Sequence, residues 1–270
     1  MRAAVVATPV LERLRAGPVD GVVRGATARA AYLDLGGFVV ALTAPGVPLM
    51  PDGIAVDATA VPDGPVRAGP DGIALGPETL RLDAARVWDP VLPRVAPEDA
   101  AVLRSRGAAI LASLGPSEAG GLAAGERGRE GLALLRRALA ARDADLAARA
   151  AVLLVGLGGG LTPEGDDALT ATAAVVGAVA DAAGLADGER ARLVAALVPA
   201  DATARTTALS ATLLTLAARG CVIEPVHRLL DPAGEGWRDA LATLVATGAS
   251  TGRAYATATG SALVLLLGDG

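Results

Sequence analysis

The chain has 270 residues, 52% of them hydrophobic and 20% charged, which is enough apolar material for one large domain or two smaller ones. Its formal charge is -5 at pH 7, and all 24 of its cations are arginine. An acidic, well-mixed surface argues against general nucleic-acid or anionic-membrane binding, which need a basic face, and aromatics at 2% leave few platforms for stacking bases.

The opening stretch "MRAAVVATPVLERLRAG" meets Glu12 and Arg13 too soon after its apolar run for a signal peptide. With Cys221 as its one cysteine and His227 as its one histidine, the chain is expected to carry neither a disulfide framework nor a zinc site of the His/Cys type. A cytoplasmic protein is the expectation. Residues 1–96 read as β-rich: "GFVVALTAPGVPLMPDGIAVD" and "GPVRAGPDGIALGPETLRLD" are short apolar runs broken by Gly, Pro and Asp. The best strand is "GGFVVALTA". "GIAVDA" and "GIALG" resemble each other and are candidates for paired or equivalent strands.

From residue 97 the apolar period shifts to about 3.6 and the chain reads as an α-helical domain, 97–270, so that the fold class is α+β. "PEDAAVLRSRGAAILASLG" opens with a proline and two acids and stops at Gly115, as a helix should. Further helices are expected over roughly 128–142, 144–156, 166–184, 187–198, 202–219, 222–230, 236–247 and 252–267. The alanine-rich segments are broken by Gly177 and Asp181, so they read as buried core helices and not as membrane spans of about 20 apolar residues.

Three polar stretches interrupt this bundle. "GLGGGLTPEGDDAL", residues 156–169, lies between two helices, so it is not the strand-loop-helix of a Walker site, and it has no lysine. Its glycine amides, including those of Gly158 and Gly160, and the Thr162 hydroxyl can approach an anion at a helix N-terminus. Asp166 and Asp167 suit Mg²⁺ bridging to a phosphorylated ligand, or else Asp166 is an ordinary N-cap and Asp167 a favourable first-turn charge. In the second stretch, "DATARTTALSATLLTLAARG", a helix over 202–219 would put Thr203, Thr206, Thr207 and Ser210 on adjoining positions of one face. Arg205 could bind a carboxylate or phosphate there, while the hydroxyls could equally bond back to carbonyls one turn earlier. The third, "ATGASTGRAYATATG", sets Ser250 and Thr251 at the start of the last helix, where a Ser/Thr cap needs no ligand. Together the three suggest a shared polar pocket.

"GLGGGLTPEGDDAL" resembles "GLGPGLTPSGDDFL", a hallmark of the bacterial AllH-like family, which includes a subunit of oxamate carbamoyltransferase. "RTTALSATLLTLAARG" and "GASTGRA" resemble that family's later "RTT-x-x-S" and "G-x-[ST]-S-G-x-D" stretches, in the same order. The likeness covers mainly residues 150–260. It implies a cytoplasmic subunit in purine or allantoin catabolism that works with other subunits on oxalurate plus phosphate, giving oxamate plus carbamoyl phosphate, or on the reverse. By that resemblance Gly158, Gly160 and Thr162 hold phosphate, Asp166 and Asp167 hold Mg²⁺ or orient the nucleophilic amide, and Arg205 pairs with a substrate carboxylate. Thr206, Thr207, Ser210, Ser250 and Thr251 would complete the ligand site. The sequence departs from the quoted patterns at Gly159, where proline is common, at Glu164, where a small hydroxyl residue is common, and at Ala254, in the place of the later aspartate. The competing reading is a non-catalytic structural or regulatory subunit of a multi-subunit complex. A kinase or ligase using ATP ranks last, for want of any lysine.

Overall fold

The computed structural model describes residues 1–57, 64–115 and 125–268. The chain divides into two compact units, Met1–Pro90 and Val91–Gly270. The first is built on a sheet and the second on helices, so the protein is α+β.

The first unit runs β1 (Ala3–Ala7), α1 (Thr8–Arg15), β2 (Val19–Ala26), β3 (Ala30–Asp34), β4 (Val39–Thr43), β5 (Gly53–Val56), β6 (Val66–Gly69), β7 (Gly72–Leu75), β8 (Glu78–Leu80) and β9 (Arg86–Trp88). These form one sheet in the order β8-β7-β6-β2-β3-β4-β5-β1-β9. Only the β4/β5 and β1/β9 neighbours are parallel. The expected strand "GGFVVALTA" is β4, an interior strand buried at all five positions. The two look-alike segments become β5 and β7, but four other strands separate them, so they do not pair; Ala58, at the end of the first, lies outside the described residues. Helix α1 went unforeseen because only eight residues carry it. Pro9 opens it, and Val10 and Leu14, one turn apart, enter the core with Leu33, Leu42, Ile54 and Ile73.

The second unit begins with a 3-10 turn, Pro97–Asp99, followed by α2 (Ala100–Leu114), α3 (Glu126–Ala141), α4 (Ala144–Leu154), α5 (Glu164–Val179), α6 (Asp187–Leu197), α7 (Ala202–Arg205), α8 (Ala208–Ala217), α9 (Glu224–Leu230), α10 (Trp237–Val245) and α11 (Thr251–Leu266). Helix α5 is the centre of the bundle: from Gly165 to Val179 every residue except Gly177 is buried, the signature of a helix surrounded by others. Helix α11 packs on both α5 and α2. Its crossing with α2 is glycine against glycine, since a Cβ on Gly107 would lie 2.9 Å from the Gly260 carbonyl oxygen. Among the described residues no helix is long and apolar enough to cross a membrane.

One expected helix is broken. The stretch 202–219 forms α7 and α8 with an extended Thr206 (φ -137°, ψ -174°) between them. Thr207 is the N-cap of α8, its hydroxyl accepting the Ser210 amide at 3.1 Å. Two adjacent threonines, poor in a helix interior and good at its start, explain the break.

Candidate functional site

Helix α4 ends at Leu154, and the chain leaves it through Gly156 at φ +70°. A Cβ there would lie 2.3 Å from the Arg205 carbonyl oxygen, so the turn between α7 and α8 sits directly against the loop. Gly158 (φ +121°) and Gly160 (φ +85°) turn the chain again before Pro163, the N-cap of α5. These left-handed conformations are why glycine recurs at alternate positions.

Asp166 ties this arrangement together. It is not the N-cap: α5 starts at Glu164, which makes Asp166 the third helical residue, and its side chain reaches back across the loop. One carboxylate oxygen accepts the Gly156 amide at 2.8 Å and the other accepts the Thr206 hydroxyl. The side chain is 1% exposed. Burial raises its pKa, against the opposing effect of the Gly156 amide and of the Thr206 and Ser210 hydroxyls. The second tie is Thr207, whose hydroxyl donates to the Leu161 carbonyl at 2.6 Å while it caps α8. The third is the hydrogen bond between the Thr162 and Thr251 hydroxyls, 2.9 Å, which joins the loop to the start of α11.

Asp167 lies beside this last pair. It too is 1% exposed, and its Oδ2 has no hydrogen-bond partner. Burial, helped by the charges of Asp166 and Glu164, pushes its carboxyl up to about 8, although the Thr251 and Thr162 hydroxyls pull the other way. Near neutral pH the carboxyl is therefore largely protonated.

The three polar stretches thus converge, but in a different arrangement from the one expected. Thr203, Thr206, Thr207 and Ser210 do not share a helix face, because the break at Thr206 separates Thr203, which is exposed on α7, from the others. Arg205 does not point to open space. It donates to the Val152 carbonyl at 2.6 Å and lies 3.6 Å from Asp201, so it serves the open C-terminal carbonyls of α4. Arg127 serves the same end, donating to Leu153 at 2.8 Å. Ser250 makes no capping bond and instead lines a cavity between α3, α5 and α11. Gly158, Gly159, Gly160 and Leu161 are exposed, and the amides of 158–162 donate to no carbonyl among the described residues.

The aspartate pair does not fit a shared Mg²⁺ site. Both oxygens of Asp166 are taken by protein donors, and no group of three His, Cys, Asp or Glu gathers among the described residues. Mg²⁺ needs near-octahedral oxygen ligands with room for water.

Sequence reasoning missed two glycines that let this site close. A Cβ on Gly165 would lie 2.0 Å from the Leu154 carbonyl oxygen, and one on Gly252 would lie 1.6 Å from that of Leu244. Each is a glycine in the first turn of a helix, where an ordinary sequence would place a better helix former, and that was the available signal.

Residues 154–265 match the model of one protein family, described as oxamate carbamoyltransferase subunit AllH. The match lies wholly within the helical unit and spans less than half of the chain. Comparison with curated proteins and with solved structures gave no match. The matched residues take in the glycine loop, Asp166, Asp167, the Thr206–Thr207 turn and Thr251, and hence every hydrogen bond of the convergence except those to α4 carbonyls before Leu154. The departures from the AllH pattern also find places. A Cβ on Gly159 would meet nothing within 4 Å, so that position accepts a side chain, while Glu164 and Ala254 both line the cavity beside Ser250.

Proposed function

We propose that this chain is a subunit of a carbamoyltransferase-type enzyme and that the outer half of its glycine loop binds the small anion of that reaction. The observation that supports this most is the convergence, inside the AllH segment, of exposed loop amides with the hydroxyls of Thr162 and Thr251 and the partnerless oxygen of Asp167. A helix N-terminus behind an exposed glycine loop favours an oxyanion. Carbamoyl phosphate is small and anionic, and its formation or cleavage needs positioning and charge stabilisation more than a protein nucleophile.

In this reading the amides of Gly158 and Gly160 hold phosphate oxygens. The Thr162 hydroxyl, which can donate and accept at once, links the phosphate to Thr251. Phosphate attacks the carbamoyl carbon of oxalurate; the bond from that carbon to the oxamate nitrogen breaks, and the proton shed by phosphate ends on that nitrogen. Asp167, poised near neutral pH, is the group that can pass this proton. Asp166 acts as a positioning residue, since it touches only the protein. Arg205 pairs with a substrate carboxylate only by giving up the Val152 carbonyl. The family name implies further subunits, which would supply what this chain lacks.

A second reading has a specific observation in its favour. Asp166 and Arg205 are both spent on holding backbone, as in a subunit that supports the complex without binding substrate. Thermal stabilisation separates the two. Under the proposal, carbamoyl phosphate and phosphate raise the melting temperature with ligand concentration, and Thr162→Val removes most of that rise, measured from the variant's own unliganded baseline, which the lost bond to Thr251 lowers. Repeating the titration with Mg²⁺ reads whether the cation enters with the anion. No shift with carbamoyl phosphate, phosphate or oxamate in either condition would favour the structural or regulatory subunit.

A further inference from the structure

Between α3, α5 and α11 lies a cavity of about 270 Å³. Leu132, Leu135 and Leu139 border it from α3 at helical spacing, and Ala254, Ala258 and Ser261 do so from α11. Large side chains thus meet small ones, and the space that alanine and serine leave is not refilled, although protein interiors normally pack as densely as organic crystals. Leu135, Leu139, Ala168, Thr172 and Ala258 are buried members of the lining. Of these only Thr172 has a polar side chain, and its hydroxyl already donates to the Ala168 carbonyl at 2.7 Å.

Three charged residues, Arg136, Arg253 and Glu164, also border the cavity, and each already has a partner. The Arg253 guanidinium is bound to the Leu114 carbonyl at the end of α2, outside the lining. An ion entering the cavity would shed its water and find no unspent opposite charge, a loss that burial does not return. Water fares little better along the buried part, since an ordered water needs about two to four polar partners. An apolar molecule gives up nothing there: it leaves water and supplies the dispersion contacts that an unfilled space denies to its walls. Dry cavities of ~150 Å³ walled by leucine, isoleucine and phenylalanine take up benzene. At 270 Å³ this one has room for a ring with a short substituent.

We infer that the cavity between α3, α5 and α11 binds a small uncharged molecule, apolar over most of its surface and of about nine heavy atoms, seated against Leu135, Leu139, Ala254 and Ala258. This site is separate from the loop amides assigned above: none of residues 156–163 lines the cavity, and Glu164 and Ser250 are where the two regions adjoin. The inference does not rest on the carbamoyltransferase reading.

The test uses the full chain with toluene and benzyl alcohol as uncharged probes and benzoate as their charged counterpart. Binding is followed by saturable rise in melting temperature and by nuclear Overhauser contacts from the ring protons to leucine and alanine methyls. Toluene is expected to bind at about millimolar Kd or tighter, and benzoate about tenfold more weakly or worse. Ala254→Leu fills the recess and should weaken toluene binding about tenfold or more, while the response of the loop amides to phosphate is unchanged. If that variant does not fold, the contacts to Leu135 and Leu139 in the wild-type protein and the ratio of toluene to benzoate affinity decide. No saturable toluene binding, or binding whose contacts lie away from those leucines, overturns the inference. So does benzoate binding as tight as that of toluene, or unchanged toluene binding in folded Ala254→Leu protein.

Discussion

The two halves of the glycine loop are built on opposite principles. In the inner half, Gly156, Gly165 and Asp166 leave no freedom: missing Cβ atoms admit the carbonyls of Arg205 and Leu154, and a buried carboxylate satisfies the Gly156 amide across the loop and the Thr206 hydroxyl from the turn between α7 and α8. In the outer half, Gly158 to Leu161 are exposed, and Gly159 has open space where a side chain would go. The same run of glycines therefore serves packing at one end and leaves backbone amides accessible at the other. A motif that looks uniform in sequence is a clamp joined to an open cradle.

Breaking the clamp should have the largest effect. Gly165→Ala forces a Cβ to 2.0 Å from the Leu154 carbonyl oxygen, and the helices must separate to admit it. The expected loss exceeds about 3 kcal/mol and is to be read by chemical denaturation. Asp166→Ala comes next, since it strands the Gly156 amide and the Thr206 hydroxyl, both partly buried. It should cost about 2–4 kcal/mol, with Asp166→Asn milder because one acceptor survives. A loss under about 0.5 kcal/mol for Asp166→Ala would mean that the clamp is not held by this carboxylate.

Asp167 sharpens the comparison through pH. Its pKa in the native protein is raised to about 8, so the native state holds the proton more tightly than the unfolded chain does, whose carboxyl titrates near 3.9. Its contribution to stability is then fully present below about pH 4 and is lost as pH rises through about 8. Melting curves of the wild-type protein and Asp167→Asn should diverge across that window, the variant gaining on the wild type as pH rises. A difference that does not change with pH would show that Asp167 is not held neutral. At the outer end, Gly159→Ala should change stability by less than about 0.5 kcal/mol, because the added methyl meets no neighbour.

What the sequence made legible follows from how local each signal was. The change from β-rich to helical composition, strand β4 and the helices α2 to α6 rest on periodicity and end signals within a few residues, and they were readable. The break between α7 and α8 was hidden because alanine and leucine on both sides keep the helical period running through Thr206 and Thr207. Of the site, the stretches that meet could be named in advance, but their partners could not. Nothing local says that Asp166 reaches back ten residues to Gly156, or that Arg205 turns to the end of α4. A chain whose cations are all arginine uses several of them on helix C-terminal carbonyls: Arg127 and Arg205 on α4, Arg253 on α2, and Arg106 on Leu229 near the end of α9. An arginine beside a polar motif is for that reason a weaker sign of ligand binding here than its chemistry alone would suggest. The cavity lining was least legible of all, since it is drawn from three helices, each of which reads as ordinary core.

The most direct test of the central claim is to follow backbone amide resonances of the full chain while carbamoyl phosphate, and separately phosphate, is titrated in. The account predicts saturable shifts concentrated at Gly158, Gly159, Gly160 and Thr162, with the inner amides of Gly156 and Asp166 nearly still. Shifts absent from the loop at saturating anion, or confined to residues away from it, would contradict the account and leave the glycine loop as a connection between helices.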